Sequence, residues 1–210
     1  VNLERAYRQL QEQAKDPVFL ERLEALSPIM EAFSRRLKVY CEQNRVSLAG
    51  EILSEIMVAQ DYLGERVSNI VLMGSGEPLD NYDNVMKFIL IINDAKGIQI
   101  GARHITLSTC GLVPKIKELS DFPLQINLAI SLHAPNDRLR NLLMPISKAY
   151  KMDELMSSIK AYILKTNRRV TIEYIMLDNV NDKVEHAKEL ANLLRGMNVY
   201  VNLIPYNETN

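Results

Sequence analysis

The chain has 210 residues and a formal net charge of −1 at pH 7, with 47% hydrophobic and 24% charged residues. This size and balance suit a globular domain that buries a substantial core, and they argue against a disordered or membrane-spanning chain. The charge gives no overall attraction to nucleic acid, so any RNA contact would need a local basic patch.

Cysteine usage and the first residues indicate the cellular compartment. The two cysteines, Cys41 and Cys110, are too few for a disulfide framework, and the first residues contain no apolar stretch of the signal-peptide type. We therefore expect a cytoplasmic protein that makes no contact with a membrane.

The first 45 residues have the pattern of short helices. Leu3, Tyr7 and Leu10 recur at helical spacing, and the pairs Asp16-Pro17 and Ser27-Pro28 are typical helix starts. An apolar stripe of this kind is usually a packing surface. We predict a helical segment over 1–45, without an assigned role, as the first of two parts of the chain.

The second part, residues 46–210, alternates helices with strands. Ser47 is a candidate cap for a helix that Gly64 can end. Alternation of this kind predicts a parallel sheet with helical crossovers. Five runs have strand character, at 69–74, 103–108, 125–131, 169–176 and 199–204, and helical patterns at 152–165 and 183–194 fill two of the gaps.

Residue parity in these strands separates an aliphatic face from a polar one. Successive side chains of a strand point to opposite sides, so alternate residues share a face. A doubly wound sheet would bury both faces and tolerate polar residues poorly, whereas a barrel-like sheet has a polar interior and binds its ligand at the carboxyl ends of its strands. The polar face carries Thr106, Ser108, Asn127, Ala129, Ser131, His133, Thr171, Glu173 and Asn202.

Each segment that follows a strand also has an ordinary structural interpretation. The sequence Gly-Ser-Gly-Glu-Pro at 74–78 is compatible with a tight turn, and a single histidine such as His133 is more often structural than catalytic. The functional interpretation is that close backbone approach, together with the Glu77 carboxylate, holds an ammonium group.

Taken in order, five motifs resemble one family. They are NIVLMGSGEPLDNYDNV at 69–85, ITLSTCG at 105–111, LAISLHAPND at 128–137, EY at 173–174 with ND at 181–182, and NLIPYN at 202–207. Together they resemble the radical-SAM methyltransferases that modify C2 of an adenine in 23S rRNA and in some tRNAs. The related C8 methyltransferases are similar. The resemblance implies a partial (β/α) barrel of about five parallel strands with a helical N-terminal segment.

The same resemblance implies cofactors, partners and site residues. The family uses S-adenosyl-L-methionine (SAM) and a [4Fe–4S] cluster, and its substrates are 23S rRNA and tRNA. Carried onto matching positions, Gly76 and Glu77 meet the amino end of SAM, Ser108 its carboxylate or ribose, Ser131, Leu132 and His133 the middle of the pocket, and Asn207 the adenine end.

Two cysteine features of the family have no counterpart in this sequence. The family binds its cluster through a CxxxCxxC segment after a first strand and uses a C-terminal cysteine as methyl carrier. Neither is present, and Cys110 is interpreted as a small packing residue. We assign no metal ligand and no catalytic residue, and we expect a fragment, a rearranged chain or a degenerate homologue without turnover.

Two alternatives to this interpretation stay open. One is a non-catalytic SAM-binding, nucleotide-binding or scaffold protein on the same fold, which uses its N-terminal helices to dock a partner. The other, less favoured, is an unrelated barrel enzyme that uses Glu173 and His133 as acid and base.

The N-terminal helices are also expected to cover a sheet edge. With no strand before it, the strand at 69–74 would expose unpaired amides and carbonyls, a hazard that proteins normally cover. The apolar stripe of Leu3, Tyr7 and Leu10, or that of Phe33 and Leu37, is available for this purpose.

Overall fold

The structure is a computed structural model that describes residues 47–73 and 76–206 of the chain. The described part alternates helices and strands in the order predicted. Its elements are α1 (Ala49–Leu63), β1 (Ile70–Leu72), α2 (Tyr82–Asn93), β2 (Ile105–Thr109), α3 (Val113–Leu119), β3 (Asn127–Ser131), α4 (Asp137–Leu143), α5 (Met152–Thr166), β4 (Val170–Met176), α6 (Val184–Leu193) and β5 (Val199–Pro205), with short 3₁₀ helices at Pro78–Asn81, Ala102–His104 and Pro145–Lys148.

The five strands form one parallel sheet in the order β1-β2-β3-β4-β5. Each strand therefore pairs with the next one in the chain, and at least one helix lies between every consecutive pair. A doubly wound sheet reverses direction at a switch point, whereas a sheet that advances in one direction is the topology of a barrel. The predicted fold class, an open α/β barrel of five parallel strands, is confirmed.

Local sequence explains where the elements begin and end. The Val-Thr-Ile-Glu-Tyr-Ile-Met sequence of β4 is rich in β-branched residues, which favour strands. Helix α1 ends at Gly64, whose φ of 64° is left-handed, as predicted. Its start was predicted one residue too early. The N-cap is Leu48, whose N–H is satisfied by Glu51 Oε2 at 2.8 Å, and the Ser47 hydroxyl makes no cap.

The aliphatic face of the sheet packs against the helices, as the parity pattern predicts. Leu107, Ile130 and Ile172 are fully buried, together with Phe88 of α2 and Ile159 of α5. The core therefore lies between the sheet and its helical layer, and it fixes the strands as a rigid base for the residues on the other face.

The edge strand β5 departs from this pattern. Alternation along the strand predicts that Val201 shares the aliphatic face with Val199 and Leu203 and can pack beneath a helix, but Val201 is 41% exposed. An edge strand has a neighbour on one side only, so the helical layer covers it incompletely.

No helix in the described ranges is long and apolar enough to cross a lipid bilayer.

Candidate functional site

A cavity of about 280 Å³ opens at the carboxyl ends of β1, β2 and β3. In the described part, five of the seven predicted site residues line it: Gly76, Glu77, Ser108, Ser131 and His133. The other described residues that line it are Met73, Pro78, Thr109, Cys110 and Met144. Carboxyl ends of neighbouring parallel strands meet at the same edge, so residues far apart in sequence converge here.

Two backbone amides hold the Glu77 carboxylate. Its Oε1 accepts the N–H of Leu79 at 2.9 Å, which caps the 3₁₀ helix after β1, and its Oε2 accepts the N–H of Cys110 at 2.7 Å. The Cys110 thiol also hydrogen-bonds to this carboxylate, which keeps capacity to accept one further donor. The preceding residue, Gly76, has a φ of 119°, a conformation that side chains rarely adopt. Glu77 is thus a fixed anion in the cavity wall.

Arg140 of α4 is buried and contacts Cys110, the residue that follows β2. Its Nη2 donates to the carbonyl of Cys110 at 2.6 Å, while the amide of Cys110 donates to Glu77. Burial lowers the pKa of Arg140. Its Nε and Nη1 find no hydrogen-bond partner among the described residues. Gly111 leaves room for this arrangement, since an added Cβ would lie 3.1 Å from Arg140 Nη2.

His133 is a neutral hydrogen-bond donor at the cavity. Burial, with a smaller contribution from Arg140, lowers its pKa from 6.5 to about 4. Its Nδ1 accepts the N–H of Ile175 at 3.1 Å. A neutral imidazole with an accepting Nδ1 carries its proton on Nε2. Nε2–H is therefore the group that His133 can offer to a ligand.

The two serines stand on the polar face of the sheet. Ser108 is the last residue but one of β2, and it is buried. Ser131 is the last residue of β3 and lies in register with Glu173 of β4. Glu173 Oε2 accepts a hydrogen bond from the Asn202 amide at 2.7 Å, so polar groups on this face satisfy one another. This pairing explains how the sheet tolerates a buried carboxylate.

The two other predicted site residues lie elsewhere. Leu132 is fully buried in the apolar core, on the opposite face from Ser131 and His133, and its side chain does not line the cavity. Asn207 lies outside the described residues. Their assignments stay predictions from the resemblance.

Sequence reasoning missed Asn181, which shapes the His133 loop. Its amide donates to the carbonyls of His133 at 2.8 Å and Ile175 at 2.7 Å, and its Oδ1 accepts the N–H of Leu177 at 2.7 Å. The residue is buried. Asn181 belongs to one of the five motifs, but nothing in that motif showed that its side chain would reach across to the residues after β3. Arg140 was missed for the same reason.

The donor set does not fit a three-cysteine iron–sulfur cluster. Such a cluster needs thiolates, and the whole sequence contains two cysteines. Burial, the hydrogen bond with Glu77 and the charge of Glu77 raise the pKa of the Cys110 thiol to about 12, so it is protonated at neutral pH. Among residues 47–73 and 76–206, no group of three His, Cys, Asp or Glu side chains could hold a metal ion.

Comparisons with known proteins place the chain in a family. Residues 39–194 match the family model described as the radical SAM superfamily. The proteins described as "Probable dual-specificity RNA methyltransferase RlmN" from Spiroplasma citri and Acholeplasma laidlawii are 62% and 60% identical, over 75% and 79% of this chain and 46% and 49% of their own lengths. The chain thus spans about half the length of these curated relatives.

A solved structure agrees. The crystal structure of a radical SAM methyltransferase from Sphaerobacter thermophilus matches with a TM-score of 0.73 and 45% identity, covering 78% of this chain and 49% of the other. The family match removes the alternative of an unrelated barrel enzyme. With the parallel sheet, the ordered motifs and these similarities, the chain belongs to the radical SAM superfamily.

Proposed function

We propose that the described sheet forms the SAM-binding wall of a radical SAM methyltransferase that acts on RNA, with C2 of an adenine in 23S rRNA and in tRNA as its target. The observation that carries the proposal is the convergence of Glu77, Ser108, Ser131 and His133 on one cavity. The relatives described as RNA methyltransferases support the choice of substrate.

The residues present fit SAM. The Glu77 carboxylate, already bonded by two amides and the Cys110 thiol, can still accept one hydrogen bond from the ammonium group, which offers three donors. Ser108 and Ser131 offer hydroxyls, and His133 offers Nε2–H to an acceptor such as the SAM carboxylate. SAM, when bound, supplies the methyl group. The protein groups bind and orient it.

A second candidate is a non-catalytic SAM-binding protein on the same fold, because the sequence offers too few thiolates for a cluster. Anaerobic reconstitution with iron and sulfide separates the two candidates. Absorbance from a bound cluster would support the methyltransferase, and its absence would support the binding protein.

Calorimetric titration with SAM tests the shared pocket. When protein groups alone bind SAM, we expect a dissociation constant above about 1 μM. Glu77→Gln replaces an accepting oxygen with a donating NH₂, which then faces a backbone N–H that it cannot accept. The variant also loses the charge-assisted hydrogen bond to the SAM ammonium. We expect the dissociation constant to rise about tenfold or more, since bonds to charged groups contribute about 1.5–3 kcal/mol.

Asp80→Asn is the matched control. It removes the same charge three residues away, from an exposed side chain outside the cavity lining, and should change the dissociation constant by less than about twofold. Equal binding by the Glu77→Gln variant and the unchanged protein would show that Glu77 does not contact SAM.

A further inference from the structure

A second, larger concavity lies at the opposite end of the sheet. It has a volume of about 630 Å³ and is formed where the strands begin, on the polar face. We call it the amino-end groove and define it by Arg103, Arg168, Arg169, Gln125, Asn127 and Tyr200. Because all five strands are parallel, this groove and the Glu77 cavity lie at opposite ends of the same face.

The amino-end groove is a local concentration of positive charge. Its three arginines come from the residues just before β2 and β4, and no described residue that lines it is an aspartate or glutamate. The net charge of the whole chain is −1, so any attraction for a polyanion must come from local clusters such as this one.

Arg168 is held in place while keeping donors free. Its Nη1 donates to Gln125 at 3.2 Å and its Nη2 to Asn127 at 3.0 Å. The Asn127 amide donates in turn to the carbonyl of Arg103 at 2.7 Å, which links two strand starts. A guanidinium has five N–H groups, so Arg168 retains capacity to bind phosphate oxygens. The groove is preorganised before any ligand arrives.

An aromatic ring borders the same groove. The guanidinium carbon of Arg169 lies 3.3 Å from the ring centroid of Tyr200, and Tyr200 is 56% exposed. Exposed aromatic rings beside arginines are the elements on which proteins stack the bases of single-stranded nucleic acid. Three arginines, polar amides and a stacking ring together match a nucleotide: phosphate for the arginines and base for the ring.

We propose that the amino-end groove binds a phosphate-bearing nucleotide unit of an RNA strand, at a site separate from the Glu77 cavity. The nucleotide chemistry follows from the groove alone, while the choice of an RNA strand over a free nucleotide rests on the proposed function. An RNA contact here would lie across the sheet from the methyl donor and would anchor the substrate at a distance from the reaction.

Fluorescence anisotropy with the full chain tests the proposal. The probe is a fluorescein-labelled single-stranded RNA of about 12 nucleotides, within the site sizes such grooves cover. Arg103→Gln combined with Arg169→Gln removes two charges from exposed side chains. We expect binding about tenfold weaker and a smaller dependence on salt, because fewer phosphate contacts release fewer counterions.

A double variant on the outer helices controls for net charge. Lys160→Gln with Lys188→Gln removes two charges from exposed residues of α5 and α6, outside the groove lining, and should leave RNA binding within about twofold. Tyr200→Phe keeps the ring and should bind as the unchanged protein does, whereas Tyr200→Ala should bind more weakly. Equal effects of the two double variants, or no effect of either, would overturn the proposal.

Competition with adenosine monophosphate identifies the source of the nucleotide. Displacement of the RNA at similar molar concentrations would assign the groove to free nucleotides, and resistance to displacement would assign it to an RNA strand. SAM titration of the same variants keeps the proposals separate. Loss of RNA binding with SAM binding intact supports the groove, and failure of SAM to bind any variant bears on the Glu77 cavity alone.

Discussion

His133 occupies a backbone conformation that its neighbours maintain. Its φ is 56°, in the left-handed region, where a non-glycine residue is uncommon. Its N–H donates to the carbonyl of Glu173 at 3.2 Å and its carbonyl accepts from Asn181 at 2.8 Å. These two bonds fix the backbone of His133, and the bond from the Ile175 N–H to Nδ1 fixes its imidazole. This backbone conformation directs His133 to the cavity, where burial keeps the imidazole neutral.

This arrangement predicts a dependence of stability on pH. The pKa of His133 is about 4 in the folded chain and 6.5 when exposed, so the unfolded chain binds more protons between these values. The contribution of neutral His133 is therefore complete above pH 6.5 and declines as pH falls toward 4. We expect His133→Asn, which tolerates the same φ, to reduce the stability loss between pH 7 and 5 by at most about 2 kcal/mol.

Urea unfolding of both proteins at the two pH values measures this difference. Carboxylates that titrate in the same window affect both proteins equally and cancel in the comparison. Identical pH dependence of the free energy of unfolding would show that His133 does not exchange a proton on unfolding.

The predictability of individual site residues depended on where their contacts lie. Parity and strand ends were sufficient to bring Ser108, Ser131 and His133 to one face. Arg140 and Asn181 act through hydrogen bonds to residues 30 and 48 positions away, respectively. No local pattern encodes such pairings, because they form only when loops from different βα units pack together.

At the scale of elements, the strands and the helices α1, α5 and α6 were predicted, whereas α2 was not identified and the margins of several elements differed. Strand β2 begins at Ile105, two residues later than predicted, because Arg103 and its neighbours form a 3₁₀ turn. The short helices α3 and α4 were not identified, since seven residues give barely two turns of periodicity. Val201 was misjudged because parity assigns a face but does not show whether a helix covers it.

Helix α5 offers a direct test of the core assignment. Ile159 is fully buried and belongs to the core, while Leu164 on the same helix is 83% exposed. Ile159→Ala should lower the free energy of unfolding by about 2–5 kcal/mol, through lost burial and the cavity left behind. Leu164→Ala should change it by less than about 0.5 kcal/mol. Similar losses in the two variants, measured by urea unfolding, would contradict the observed orientation of α5.

At the scale of the molecule, the described sheet has a candidate binding site at each end of its strands and an edge on each side. At one end the Glu77 cavity suits a SAM ammonium, and at the other the amino-end groove suits a nucleotide phosphate. Both concavities lie on the polar face of the sheet, because the opposite face packs against the helices in the core. The sequence predicted the first end through its motifs, whereas the groove arises from side chains before the strands, where no motif directed attention.

The edge at β1 leads to a prediction about residues 1–45, which lie outside the described part. Strand β1 pairs with β2 on one side, and no other described strand pairs with it. Val71 is 56% exposed and Met73 is 51% exposed at the same edge. Unpaired backbone groups beside apolar side chains favour aggregation unless another segment covers them. The predicted helices of 1–45 carry apolar stripes suited to that role.

We therefore expect Leu37→Asp or Leu10→Asp to lower the free energy of unfolding by about 2–5 kcal/mol, the range for losing a buried large side chain. Leu164→Asp places the same charge on an exposed site and serves as the control. Urea unfolding followed by circular dichroism measures the change, and size-exclusion chromatography detects aggregation through an uncovered edge. A chain lacking residues 1–45 that stays monomeric and unfolds cooperatively with unchanged stability would show that β1 needs no cover from this segment.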